Sequence, residues 1–128
     1  MARVLIIEDN PANMFLMTYL LKAFGHEPLE ASSGVTGLEL AQSLAPQLIL
    51  CDLQIPGIDG YEIAHRLKAD ATLKSIPLIA VTAYAMVGDR EKALAAGFDG
   101  YIAKPLDPET FVSEVENFLR SSASSKTT

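Results

Sequence analysis

Asp52 follows four apolar residues, Leu48-Ile49-Leu50-Cys51, and precedes Leu53-Gln54-Ile55-Pro56-Gly57, which cannot extend a strand. It therefore stands at the carboxyl end of a strand that reads as buried on both faces. In an open parallel sheet that edge is where ligands bind. Taken alone, an Asp there is a helix cap or a reactive group. Comparable positions recur along the chain: Glu8 and Asp9 after Val4-Leu5-Ile6-Ile7, Thr82 after the run from Ile76 to Val81, and Lys104 after the run from Phe98 to Ala103.

Neighbouring parallel strands lie about 4.8 Å apart, so groups at adjacent strand ends share one pocket. Two carboxylates about 4 Å apart repel by roughly 4 kcal/mol at an effective dielectric of about 20. Glu8, Asp9 and Asp52 with only Lys104 between them require a further cation. Hard oxygen ligands favour Mg²⁺, which takes one or two carboxylates and keeps several waters. A carboxylate beside Mg²⁺, a hydroxyl and an ammonium is also what phosphoryl transfer onto a side chain requires. One of the acids would attack phosphorus, metal and Lys104 would neutralise the transferring oxygens, and Thr82 would donate to one of them. Singly, Glu8 or Asp9 is a helix-entry acid, Thr82 a cap and Lys104 a solvated charge. Five such residues at strand ends pointing one way argue for a site.

The elements that must position them alternate. Arg3 to Ile7 is a first strand. Asn10-Pro11 opens a helix with Leu16, Leu20 and Phe24 on its apolar face and Gly25 at its end. Glu27 to Ala31 is a strand interrupted by Pro28 and hence at a sheet edge. A helix runs from about Val35 to Leu44, the strand before Asp52 comes third, and Asp59-Gly60-Tyr61-Glu62 reads as a capping box opening a helix through Lys68. A fourth strand spans Ile76 to Val81, a polar helix Gly88 to Ala96, a fifth strand Phe98 to Ala103. Asp107-Pro108 caps a last helix carrying Phe111, Val115, Phe118 and Leu119. Five alternations with short links predict an α/β fold, a doubly wound five-stranded parallel sheet covered by five helices. Order 2-1-3-4-5 makes the most continuously apolar strands central. One domain over residues 1–120 is expected, with 121–128 a polar, disordered tail.

Composition narrows the function. The chain has 128 residues, 49% of them hydrophobic and 20% charged, as a globular domain does. Ten Lys and Arg against sixteen Asp and Glu leave a net charge of −6 and no basic stripe, which argues against direct nucleic-acid binding. No apolar run approaches the roughly 20 residues of a membrane span, and the run after Met1-Ala2-Arg3 is too short for a signal peptide, so a mature cytoplasmic protein is expected. The single Cys51 excludes an internal disulfide and a cysteine-rich zinc site, and reads as core packing. His26 and His65, far apart, read as ordinary surface or turn residues.

Glu8-Asp9-Asn10, Asp52 with Pro56 and Gly60, Thr82-Ala83 and Lys104-Pro105 together resemble the receiver domain of bacterial two-component response regulators, over Arg3 to Leu119. Within that family the run from Thr82 to Pro105 is most similar to stand-alone receivers of the cell-division type. The resemblance implies a flavodoxin-like receiver fold and a single-domain response regulator rather than an ordinary enzyme. Asp52 would accept phosphoryl from a histidine kinase or histidine phosphotransfer protein. Glu8, Asp9 and Asp52, with the backbone carbonyl of Gln54, would hold Mg²⁺, and Thr82 and Lys104 would contact the phosphoryl group. The bond before Pro105 would be cis, and Tyr101 the switch aromatic, against its reading as a half-buried edge-strand tyrosine. Tyr84 would screen a hydrolytic water that Gln54 could orient. Output would pass to a downstream protein through a face carrying Ala83, Ala85, Met86, Val87, Ala93 and Ala96. Among rivals, a phosphatase working through an aspartyl-phosphate resembles this pocket, but its best-known group has an Asp where Gln54 stands. An FMN carrier would meet repulsion from Glu8-Asp9. A receiver excised from a longer hybrid kinase keeps the same site.

Overall fold

Strands with no polar residue along their length must be covered on both faces. A computed structural model describes residues 2–55, 57–83 and 87–127, with side chains for all of these but Val87 and residues 122–127. Its elements are β1 (Arg3–Ile7), α1 (Pro11–Ala23), β2 (Glu27–Ala31), α2 (Gly34–Leu44), β3 (Leu48–Cys51), α3 (Gly60–Ala69), β4 (Leu78–Thr82), α4 (Val87–Ala96), β5 (Gly100–Ala103) and α5 (Phe111–Thr127). The five strands form one parallel sheet in the order β2-β1-β3-β4-β5. No described helix is long and apolar enough to cross a membrane.

The two-residue alternation of a strand divides the core into two layers. Leu5, Ile7, Ile49, Cys51, Leu78 and Ala80 pack under α2, α3 and α4, which contribute Ala41, Ile63, Leu67 and Ala93. Val4, Ile6, Leu48, Leu50, Ile79 and Val81 pack under α1 and α5, which contribute Met14, Met17, Leu21, Phe111 and Val115. Each fully buried aliphatic side chain contributes about 1.5–3 kcal/mol, so β1, β3 and β4 form the rigid centre. Edge strand β2 holds Pro28 in register with Val4 and exposes both its Glu residues.

Several boundaries differ from the sequence reading, each for a local reason. The buried face of α1 is Met14, Met17, Leu20 and Leu21; Leu16 is half-buried, while Phe24 is 62% exposed, because it lies outside the helix at its C-cap. Gly25, at φ 86°, then makes the reversal: its N–H donates to Lys22 O and that of His26 to Leu21 O. β4 begins at Leu78 because the N–H of Ile76 is used in a turn onto Leu73 and Pro77 has none. β5 begins at Gly100 because the Phe98 N–H closes α4 onto Ala93 O. Only half of the expected capping box forms: Asp59 accepts from the Glu62 N–H, but the Glu62 carboxylate turns to Arg66. Asp107 caps a single turn, and α5 proper starts at Phe111. The tail expected to be disordered is helical to Thr127; adding a turn to an already packed helix needs only propagation, not a new nucleus.

Candidate functional site

Register explains the convergence. Ile7 pairs with Cys51 across β1 and β3, so Glu8 and Asp52 leave the sheet side by side. Thr82 pairs with Ala103 across β4 and β5, which sets Lys104 beside Thr82, and the Lys104 N–H donates to Thr82 O at 2.8 Å. Glu8, Asp9, Asn10, Pro11, Asn13, Asp52, Gln54, Thr82, Ala83 and Lys104 line one cavity of ≈ 420 Å³. The site residues named from sequence at the strand ends are thus brought together.

Glu8, Asp52 and Thr82 are buried and Asp9 is exposed at the mouth. Lys104 Nζ donates to Glu8 Oε1 and to Asp52 Oδ2, each at 2.9 Å. The second oxygens are also engaged: Glu8 Oε2 accepts from the Asn10 N–H at 3.1 Å, and Asp52 Oδ1 from the Gln54 N–H at 3.0 Å. Carboxylate oxygens of Glu8, Asp9 and Asp52 lie within 4.8 Å of one another, close enough for one cation to bridge them. Three acids and one ammonium leave negative charge uncompensated. Burial, reinforced by Asp52, pushes Glu8 above the usual carboxylate range, although the bonds from Lys104 and Asn10 pull against it. Burial also disfavours the Lys104 ammonium, but its bonds to Glu8 and Asp52 outweigh that and hold it above its ordinary value. Both shifts retain protons in an over-acidic pocket.

The floor is rigid. A Cβ on Gly60, in the first turn of α3, would fall 2.7 Å from Asp52 O and from Leu53 Cα, so the glycine lets the helix press against the Asp52 backbone. Cys51 is fully buried, as expected, and burial pushes its thiol far above the ordinary range, keeping it protonated. The Lys104–Pro105 peptide is cis, as the resemblance implied. Sequence reasoning missed Asn13 as a lining residue; its place three residues after the Asn10 cap, in the first turn of α1, was the available signal.

Tyr101 is half-buried on β5, its hydroxyl enclosed and without a partner among the described residues. Of the expected output face, Ala93 is buried, Ala96 is half-buried and Ala83 is exposed at the cavity rim. Tyr84, Ala85 and Met86 lie outside the described residues, as does the Val87 side chain. His65 is exposed, but His26 is not an ordinary surface histidine. Its side chain is 7% exposed, its Nδ1 accepts from the Ala2 N–H, and its Nε2 meets Glu116 Oε2 at 2.8 Å.

A doubly wound parallel sheet with an acidic, lysine-bridged pocket at the carboxyl ends of its central strands defines a small class of proteins. The chain belongs to the response regulator receiver domain family, whose pattern matches residues 4–116. It is 42% identical over 116 residues to the polar-differentiation response regulator DivK of Brucella ovis, a match covering 91% of this chain and 94% of that protein. The receiver domain of the sensor histidine kinase PA1611 from Pseudomonas aeruginosa, solved with magnesium coordinated in its active-site cleft, superposes with a TM-score of 0.85 at 30% identity, covering 92% of this chain and 97% of that one. A CheY-like receiver domain protein from Methanospirillum hungatei gives 0.87 at 26% identity, over 96% and 97%.

Proposed function

We propose that this receiver is a Mg²⁺-dependent phosphoacceptor in which Asp52 takes a phosphoryl group from a histidine kinase or histidine phosphotransfer protein and a protein-binding face changes in response. The observation that carries the reading is a buried Asp52 whose Oδ2 is held by Lys104, with two further carboxylates within 4.8 Å. Glu8, Asp9 and Asp52, with the backbone carbonyl of Gln54, are the groups that would hold the metal, which supplies positive charge against the phosphoryl oxygens. The residues fit it, since their negative charge exceeds what Lys104 neutralises.

The chemistry follows from the geometry. An Asp52 oxygen attacks phosphorus, a P–O bond forms as the P–N bond to the donor imidazole breaks, and the electron pair leaves with the imidazole nitrogen. Lys104 moves from bridging two carboxylates to pairing with a phosphoryl oxygen, and the Thr82 hydroxyl donates to another. Hydrolysis would return the carboxylate, so the protein would take part in its own phosphoryl transfer and dephosphorylation without acting on a separate substrate. Tyr101, on the strand that Lys104 follows, is the switch residue of this reading. For the donor, a surface is at hand: Phe15 and Tyr19 are 70% and 60% exposed and stack with centroids 6.1 Å apart on α1, the helix whose first turn lines the pocket mouth. The donor and a downstream protein are the partners proposed, in the cytoplasm.

Intact mass after incubation with acetyl phosphate tests the acceptor. A gain of one phosphoryl group that needs both Mg²⁺ and Asp52, and is lost in Asp52→Asn, is expected. No gain in the wild type under any condition would overturn it.

A further inference from the structure

Helix α4 has little apolar anchorage: among its described side chains only Ala93 is fully buried, and Leu94 is 48% exposed. Two cations lying over aromatic rings supplement it. Lys92 Nζ sits 4.7 Å from the centroid of Tyr61 on α3, and Arg90 Cζ sits 6.0 Å from that of Tyr101 on β5. Residues two apart on a helix point to different sides, so α4 is gripped from two flanks.

The grips are unequal. Six ångströms is the outer limit of a useful cation–π contact, and Tyr101 carries a hydroxyl that is enclosed without a partner among the described residues, an arrangement that favours leaving it. Lys92 is well inside that limit. Both grips lead back to the pocket: Tyr61 follows Gly60, which abuts the Asp52 backbone, and Lys104 follows β5 directly.

We propose that the Tyr61–Lys92 contact is the fixed pivot of α4 and the Arg90–Tyr101 contact the one that releases, so that Tyr61 and Lys92 are positioning residues governing how readily Asp52 is phosphorylated. This rests on the phosphoacceptor reading for its link to Asp52, but not for the pivot itself. Release on the β5 side alone swings the helix; loss of the α3 side leaves it held by Ala93 and the weaker β5 contact.

Hydrogen–deuterium exchange of residues 88–96 in the unphosphorylated chain reads the pivot directly. Tyr61→Leu and the surface change Lys92→Met are each expected to speed exchange there by about 2- to 5-fold, the range of an exposed cation–π contact. Tyr61→Phe keeps the ring and should match the wild type, and the double variant should exceed neither single one. Arg90→Met should have the smaller effect. Tyr61→Leu and Lys92→Met should then change the rate of reaction with acetyl phosphate by a common factor that Tyr61→Phe leaves alone. Additive effects on exchange, no effect, or a Tyr61→Phe as damaging as Tyr61→Leu would overturn the pivot. Faster exchange with an unchanged acetyl phosphate rate would overturn its role at Asp52. A wild type that takes no phosphoryl would count against the acceptor, while exchange still judges the pivot.

Discussion

At the amino end of the sheet, Lys68 Nζ donates to Asp99 Oδ2 at 2.8 Å and to the carbonyls of Lys74 and Ile76, while the same Asp99 oxygen accepts from the Leu78 N–H. Nearby, His26 meets Glu116 with its other nitrogen used by Ala2. One donor group meets one carboxylate, and the backbone supplies the remaining partners. At the carboxyl end, one ammonium bridges Glu8 and Asp52, and Asp9 stands beside them. The same residue types thus do two jobs. Matched in number they tie loops to helices; with carboxylates in excess they leave a place for a cation. Stoichiometry, more than the presence of ion pairs, separates the staple from the site.

The largest effect should come from breaking the shared ammonium. Lys104→Met strands two buried carboxylates, and removing one partner of such a pair costs about 3–5 kcal/mol. Urea denaturation without divalent ions should show that loss, and added Mg²⁺ should restore part of it by replacing the missing positive charge. Asp99→Ala breaks the amino-end staple instead. It leaves the Leu78 N–H without its acceptor and Lys68 with only two carbonyls, a loss of about 1–3 kcal/mol, and Mg²⁺ should restore nothing. Equal rescue of the two variants, or rescue of neither, would remove the distinction between the two ends.

That difference was only partly legible in the sequence. The carboxyl end was readable because the chain announces it: uninterrupted runs such as Leu48 to Cys51 end abruptly in a charge, and topology carries those charges to one edge. Strand order followed from the same runs. The amino end was not readable, because its partners come from turns and helix flanks with no periodic signal. His26 looked like a lone turn residue, and nothing local says that Glu116, on α5, will meet it. Helix faces were intermediate. In α1 the eye picks Leu16, Leu20 and Phe24, but two thioethers, Met14 and Met17, fill the core, and Phe15 and Tyr19 are left outside. Methionine packs irregular gaps as well as leucine does, so hydrophobicity alone does not choose the phase.

A smaller change sharpens the comparison by its sign. Glu8→Gln removes a buried charge from the crowded end and should stabilise the metal-free protein by about 1 kcal/mol, a fraction of the roughly 4 kcal/mol between two carboxylates 4 Å apart. Glu116→Gln at the matched end should gain nothing or lose slightly. Thermal melts in a chelating buffer read both. Stabilisation by Glu116→Gln, or destabilisation by Glu8→Gln, would mean the pocket is not over-charged.

The pH dependence of the Glu8→Gln effect is the finest of these tests. Because burial holds Glu8 above its ordinary value, the folded state keeps that proton to higher pH than the unfolded chain. Its contribution to folding is therefore greatest below the unfolded value near 4.5 and is lost as pH rises through the folded one. The stability gap between Glu8→Gln and wild type should then close on acidification, as Glu8 becomes neutral like the Gln that replaces it. Asp70, where bonds from Thr72 lower the carboxyl, runs the other way: its contribution is present above the unfolded value near 3.8 and disappears as pH falls through the lowered one. Lys104 marks the alkaline side, its contribution present below the unfolded value near 10.5 and lost as pH rises through its raised one. A Glu8→Gln gap that widens toward low pH would place the excess charge somewhere other than the pocket, because only a carboxylate that the fold prefers protonated makes the gap close.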